Sequence, residues 1–227
     1  MAALARSRTN LDKGYFLALR SALKRLRILT RWRHTECAVE LEVGNQTMKF
    51  STGKMAKLAD GAIVAEHGNN STLVTAVSDI KTPRITTGKV DYKEKSAAGG
   101  HIPRTFLRKD IGTSERETII SRRIDRSLRS LFHKDYSYST QIMGSLWAAD
   151  GLHDPDIAAM NGASAALTVS GIPWSGPIGV VRVGEVDGEF LINPTWSELN
   201  TSRLNLVVAC SEKKVVMVEA CAQEVSF

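Results

Sequence analysis

The sequence predicts an α+β fold, a mixed sheet with helices packed on one side. Three observations predict it. Short alternating or β-branched segments separated by turn residues recur along the chain. Two longer stretches open with helix-start signals, at Thr113-Ser114 and at Pro155. The resulting order is five strands, a helix, a strand, a helix and four strands. The length of 227 residues fits one large domain or two small ones, and 43% hydrophobic with 24% charged residues is an ordinary globular composition.

The first 35 residues stand apart. They hold nine Lys and Arg against the single acid Asp12, so the net charge of +6 belongs to this segment and the remaining 192 residues are close to neutral. Leu19, Leu23, Leu26 and Leu29 recur at helical spacing, with Arg20, Lys24, Arg27 and Arg31 on another face. A basic, acid-poor amphipathic helix is the composition of a mitochondrial transit peptide. A nucleic-acid-binding arm or a membrane-surface helix has the same pattern.

From Cys37 the elements follow in order. Val39, Leu41 and Val43 alternate with Glu40 and Glu42 as a half-buried strand, and Gly44-Asn45-Gln46 turns into a partner through Met48 and Phe50. Ala62–Ala65 and Leu73–Val77 are two more strands around Gly68-Asn69-Asn70, and Val90–Tyr92 is a fifth. Residues 93–113 read as loop. The helix from Ser114 has a hydroxyl cap with acids in its first turn and is expected to reach about Phe132. A strand at Gln141–Ala148 precedes a helix from Pro155, expected at the first helical position, to about Val169. Strands resume at Ile178–Val183, Glu189–Ile192, Leu204–Ala209 and Val215–Glu219. The uncharged run Ile157–Val181 is broken by Gly162, Gly171, Pro173, Gly176 and Pro177, so no membrane insertion is expected.

The strongest local chemistry is basic. Arg122, Arg126 and Arg129 fall at i, i+4 and i+7 on one face of the first helix, with Arg116 and Arg123 near. Upstream, Phe106-Leu107-Arg108-Lys109 sets an aromatic ring beside cations. Guanidinium forks suit phosphate oxygens and a ring can stack on an unpaired base, a combination that fits single-stranded RNA. The competing reading is a solvated face neutralised by Asp110, Glu115, Glu117 and Asp125. Ala97-Ala98-Gly99-Gly100 lacks phosphate-loop spacing. In His153-Asp154-Pro155-Asp156 two carboxylates beside a histidine could serve metal or acid–base work, but Asp154 before Pro155 reads as a helix cap, Ser164 as packing, and Cys210 and Cys221 as buried apolar residues. The histidines show no metal-ligand spacing, and three cysteines without CxxC make a disulfide framework or zinc site unexpected.

Several stretches together resemble the first ribonuclease PH-like core of the polynucleotide phosphorylase family in its animal mitochondrial form. They are Phe50-Ser-Thr-Gly-Lys54, Leu58-Ala-Asp-Gly61, Val90-Asp-Tyr92, Ala97-Ala98-Gly99 with Ile102-Pro103, Phe106–Lys109, Ile111–Ser114, Ile124-Asp125-Arg126 and Leu131-Phe132. They continue with Pro155-Asp-Ile157, Asn161–Leu167, Gly171-Ile-Pro173, Gly176-Pro177 and Asn193-Pro-Thr195. The resemblance implies the ribonuclease PH-like (ribosomal S5 domain 2-like) fold, with residues 36–227 as a first core that is C-terminally incomplete and residues 1–35 as a transit peptide.

It further implies a phosphorolytic 3′-5′ exoribonuclease, a polyribonucleotide nucleotidyltransferase, that uses inorganic phosphate to release nucleoside diphosphates from RNA. It implies a homotrimer, single-stranded RNA as partner, mitochondrial RNA degradation as setting, and Mg2+ bound outside this chain. The RNA-binding residues it selects are Phe106, Leu107, Arg108, Lys109, Arg122, Arg126 and Arg129. The family loop has two arginines in succession where Arg108 is followed by Lys109, which keeps the charge and loses one fork. No catalytic residue carries over: the position of the family's phosphate-binding serines falls at about Pro155-Asp156, where a carboxylate would repel phosphate. The chain alone is therefore expected to be inactive. The alternative is a non-catalytic RNA-binding or ring-scaffold subunit of an exosome-like assembly.

Overall fold

A computed structural model describes residues 36–44, 46–83, 88–133 and 135–223; the predicted transit peptide lies outside the described residues. Among the described residues ten strands form two sheets rather than one. The first contains β1 (Cys37–Val43), β2 (Gln46–Thr52), β3 (Gly61–His67), β4 (Asn70–Pro83), β5 (Lys89–Glu94) and β6 (Tyr138–Ala148), in the order β1-β2-β3-β4-β6-β5. All its neighbours are antiparallel except β5, which runs parallel to β6, so the sheet is mixed as expected. The second contains β7 (Gly179–Val186), β8 (Glu189–Ile192), β9 (Leu204–Cys210) and β10 (Val215–Ala222), antiparallel in the order β10-β9-β7-β8.

Alternation decides which face of the first sheet is inside. Met48 and Phe50, Ile63 and Ala65, and Val74 and Ala76 are fully buried on one side. On that side lies α2 (Asp156–Val169), every residue of which from Asp156 to Leu167 is buried. It packs on β3 and β4 and also on β7, so it has no solvent side and its apolar residues show no helical stripe. Small residues allow the close approach. A Cβ on Gly162 would meet Val74 and Ala65 at 3.0 and 3.1 Å, and one on Gly61 would fall 2.2 Å from the carbonyl oxygen of Ala166.

Two polar side chains of α2 hold the second sheet. Asn161 donates to the carbonyl of Val180 and accepts from its N–H, at 2.8 and 2.9 Å. Ser164 donates to the carbonyl of Ile178 and accepts from its N–H in the same way, at 2.8 and 2.9 Å. Ser164 is thus a fastener for the backbone entering β7 rather than a packing residue. Each bond satisfies groups that burial would otherwise leave costly.

The helix α1 (Glu115–Arg129) begins as expected, with a reciprocal capping box between Ser114 and Glu117. It stops three residues short of Phe132, with Ser130 as its C-cap. A third helix, α3 (Trp196–Thr201), was not anticipated although Thr195 and Glu198 form a capping box there too. Pro155 takes the N-cap position instead of the first helical one. Cys210 is half-buried and Cys221 is exposed, against the expectation that both are buried apolar residues. No described helix is long and apolar enough to cross a membrane.

Candidate nucleic-acid interface

The segment between β5 and α1 has one face on the fold and one in solvent. Ala97-Ala98-Gly99 is part of a short 3-10 turn at 96–99, and Ala98 accepts from the N–H of Ala149 beyond β6. Asp110 is tied back to this turn, accepting 2.6 and 3.3 Å hydrogen bonds from the Ser96 hydroxyl and N–H. Lys93 on β5 donates to the Thr113 hydroxyl at 2.8 Å. Between these anchors Phe106 is 100% exposed and Leu107 60%, and Arg108 and Lys109 are exposed beside them. A ring wholly in solvent contributes no burial to the fold.

The segment runs directly into α1, whose five arginines divide by angle around the helix axis. Arg122 and Arg126 are exposed and have no hydrogen-bond or ion-pair partner among the described residues. Arg129 instead grips Asp125 four residues back, with both oxygens within 3.1 Å. Of the four carboxylates expected to neutralise the face, Asp125 pairs with Arg129 and Glu115 stands exposed in the first turn. Asp110 holds the loop base, and Glu117 is used in the cap. Beyond Arg129 lies an open cleft of about 210 Å3 walled by Leu128, Phe132, Tyr136 and Tyr138.

Arg116 and Arg123 turn the other way, into a buried ionic network. Arg182 on β7, 4% exposed, donates to Asp154 at 2.7 Å and Asp156 at 2.6 Å. Arg123 donates to the same Asp156 at 2.9 Å and clasps Glu219 on β10 at 2.7 and 3.1 Å. Arg116 reaches Asp154 at 2.6 Å and Glu94 at 2.9 Å, and its guanidinium lies 5.5 Å over the Trp196 ring. The network ties β5, α1, the entry to α2, β7, β10 and α3 into one unit. Arg123 holds the Glu219 carboxyl below the ordinary range by hydrogen bonding, with a smaller contribution from the charge of Arg126. Complete burial, then repulsion by Asp154, pushes the Asp156 carboxyl upward, and the guanidiniums of Arg182 and Arg123 oppose this.

The carboxylates at 154 and 156 are therefore not helix caps. Asp154 accepts from two guanidiniums and makes only a 3.4 Å contact to the N–H of Asp156. Nor does the pair suit Mg2+. Three guanidiniums already donate to these two carboxylates, where a cation would have to displace them. Among the described residues no group of three or more His, Cys, Asp or Glu is arranged to hold a metal.

A second buried polar cluster joins the β3–β4 turn to the segment before α2. His153 pairs with Asp150 at 3.0 Å and with Gln46, and its ring stands edge-on to His67 at 5.4 Å between centroids. His67 is 2% exposed and its ring nitrogens have no hydrogen-bond partner among the described residues. Burial, then repulsion by His153, lowers it to about 4, with Asp150 acting the other way.

The structure thus brings Phe106, Leu107, Arg108 and Lys109 onto one exposed segment leading into the helix that bears Arg122 and Arg126. It separates Arg129, which is bound to Asp125. Sequence reasoning missed Arg182 and Glu219 because their partners lie 26 to 96 residues away, and no local spacing encodes such pairs.

Comparison with known proteins agrees with the fold. Residues 44–173 match the 3′ exoribonuclease family, domain 1, and residues 176–226 match domain 2 of the same family. The first stretch holds β2 to β6 with α1 and α2, and the second holds β7 to β10. The chain is 47% identical over 189 residues to a polyribonucleotide nucleotidyltransferase of Methylacidiphilum infernorum, covering 82% of this chain and 27% of that protein. It is 42% identical over 189 residues to the mitochondrial polyribonucleotide nucleotidyltransferase 2 of Arabidopsis thaliana, covering 82% of this chain and 19% of that one. The chain therefore spans about a fifth to a quarter of these relatives' length. The crystal structure of rice (Oryza sativa) Rrp46 superposes with a TM-score of 0.58 at 15% identity, over 85% of this chain and 82% of that one, a likeness of fold.

Proposed function

The chain belongs to the 3′ exoribonuclease family, and from that premise we propose that it is the RNA-guiding first core of a phosphorolytic 3′-5′ exoribonuclease, a polyribonucleotide nucleotidyltransferase. The observation that carries this reading is the fully exposed Phe106 beside Arg108 and Lys109, followed by a helix face with the unpaired Arg122 and Arg126. A solvent-facing ring offers a stacking platform to an unpaired base, and free guanidiniums offer forks to phosphates.

In the reaction, an oxygen of inorganic phosphate attacks the terminal phosphodiester phosphorus. The bond to the preceding O3′ breaks, that oxygen takes up a proton, and a nucleoside diphosphate leaves. This core's residues bind and orient the RNA, and the chemical step belongs to another core. Phosphate is the co-substrate, and Mg2+ belongs with residues outside those described. Residues 36–227 form this core within a homotrimer, and residues 1–35 direct it to mitochondria, in keeping with the mitochondrial relatives of Arabidopsis and rice.

The test is binding and turnover of oligoadenylate by the 227-residue chain in the presence of phosphate. We expect salt-sensitive RNA binding without release of ADP. Phosphate-dependent ADP release would overturn the assignment of chemistry to another core, and absence of binding at low salt would remove RNA guidance.

A further inference from the structure

We infer that Thr105 is a positioning residue for RNA, holding Arg108 and Phe106 in the geometry that grips the strand. The inference rests on the RNA-binding reading of the 106–109 segment and adds the device that fixes its shape.

The Thr105 hydroxyl is used twice across one turn. It donates to the carbonyl of Lys109 at 2.8 Å and accepts from the N–H of Lys109 at 3.1 Å. The Thr105 carbonyl accepts from the N–H of Arg108 at 2.8 Å. Between these bonds Arg108 has φ of +49°, in the left-handed region that residues with a Cβ seldom occupy. Gly112 follows four residues later with φ of +81°, so the same segment uses glycine where the left-handed backbone needs no holding. At 108 an arginine stands instead, and the three hydrogen bonds from Thr105 close the turn around it.

The rest of the segment gives Thr105 no competitor. Asp110 and Thr113 fasten its base to Ser96 and Lys93, outside the turn. Phe106 and Leu107, being exposed, provide no packing to hold the backbone. A turn kept rigid from within presents a ring and a guanidinium together, and an RNA strand then binds without first ordering them. Loss of the hydroxyl releases Arg108 from the left-handed region and lets the two groups move independently.

The experiment measures affinity of the 227-residue chain for a fluorescent oligoadenylate across a salt series, for Thr105→Val, Thr105→Ser, Arg108→Gln and Phe106→Ala. Thr105→Val keeps shape and every charge while removing both hydroxyl bonds, and should weaken binding about threefold to tenfold at every salt concentration. Its salt slope should stay that of the parent, because no cation is lost. Thr105→Ser should bind as the parent does. Arg108→Gln should lower the slope by about 0.7, one phosphate contact on a single strand.

Parent-like binding by Thr105→Val, with Arg108→Gln weakened, would overturn the positioning role and leave the RNA-binding reading standing. Weakening of Thr105→Ser to the level of Thr105→Val would overturn it as well, since the hydroxyl would not be the cause. Parent-like binding by both Arg108→Gln and Phe106→Ala would bring down the RNA-binding reading of the segment, and this inference with it.

Discussion

Two flanks of one helix put the same residue to opposite uses. On the inner flank of α1, Arg116 and Arg123 are enclosed by four carboxylates contributed by β5, the entry to α2, and β10. On the outer flank Arg122 and Arg126 face solvent, with no hydrogen-bond or ion-pair partner among the described residues. Spacing sets the two pairs at different angles around one helix, but it does not say which face meets carboxylates. The tertiary fold separates them by what it brings opposite each. An arginine cluster in a sequence is therefore a set of candidates, and the ones fit for a ligand are those the fold leaves unneutralised.

The inner flank should carry stability and the outer flank binding. The largest effect is expected at Arg182, which shares Asp154 and Asp156 with the inner arginines. Arg182→Met removes one cation from a buried set and leaves Asp156, fully buried, short of a partner. A loss of about 3–5 kcal/mol in unfolding free energy is expected. Denaturant unfolding checks it, and a loss under 1 kcal/mol would mean that the network is not a structural unit.

The second interior cluster sharpens the contrast through pH. The folded value of His67, about 4, lies below its ordinary 6.5, so the unfolded chain takes up the proton first as pH falls. The stability contributed by neutral His67 is complete above about 6.5 and is lost as pH drops towards 4, by about 2 kcal/mol at pH 5. Asp156 acts oppositely, because its raised value makes the folded state hold a proton that the unfolded chain releases. His67→Leu should therefore lose less stability between pH 7 and pH 5 than the parent. Equal losses would show that His67 protonates without cost where it stands.

The sequence made the frame legible where local rules suffice. Alternation placed β1 to β4, and the Ser114–Glu117 cap fixed the start of α1, because neighbours along the chain specify both. The division into two sheets was not legible. It depends on α2 lying between them, and Asn161 and Ser164, which fasten the second sheet, look like ordinary small residues in a helix. The segment Phe106–Lys109, proposed to bind RNA, was visible as an aromatic among cations. Its internal clasp by Thr105 was not, since nothing in the order of residues announces a left-handed Arg108.

On the outer flank the expected effects are on RNA rather than on folding. Arg122→Glu or Arg126→Glu should each weaken oligoadenylate binding about tenfold, while changing stability by less than about 0.5 kcal/mol, as surface substitutions do. Unaltered affinity in both variants would take the helix face out of the RNA path and leave only the loop.

The smallest effect tests Arg129, which lies between the two regimes. It sits on the outer face but is paired with Asp125, and both side chains are partly exposed, at 53% and 29%. Such a pair contributes little to folding, so Asp125→Asn should change stability by no more than about 0.5 kcal/mol. What changes is the availability of the guanidinium. With the carboxylate gone, Arg129 joins Arg122 and Arg126 as a free cation at i+7 and i+3, and binding to oligoadenylate should tighten with a salt slope steeper by about 0.7. The doubly substituted Asp125→Asn, Arg129→Gln protein should return to the parental slope. An unchanged slope in Asp125→Asn would mean that Arg129 does not reach the RNA even when released, and the stripe of three arginines read from the sequence would act as two.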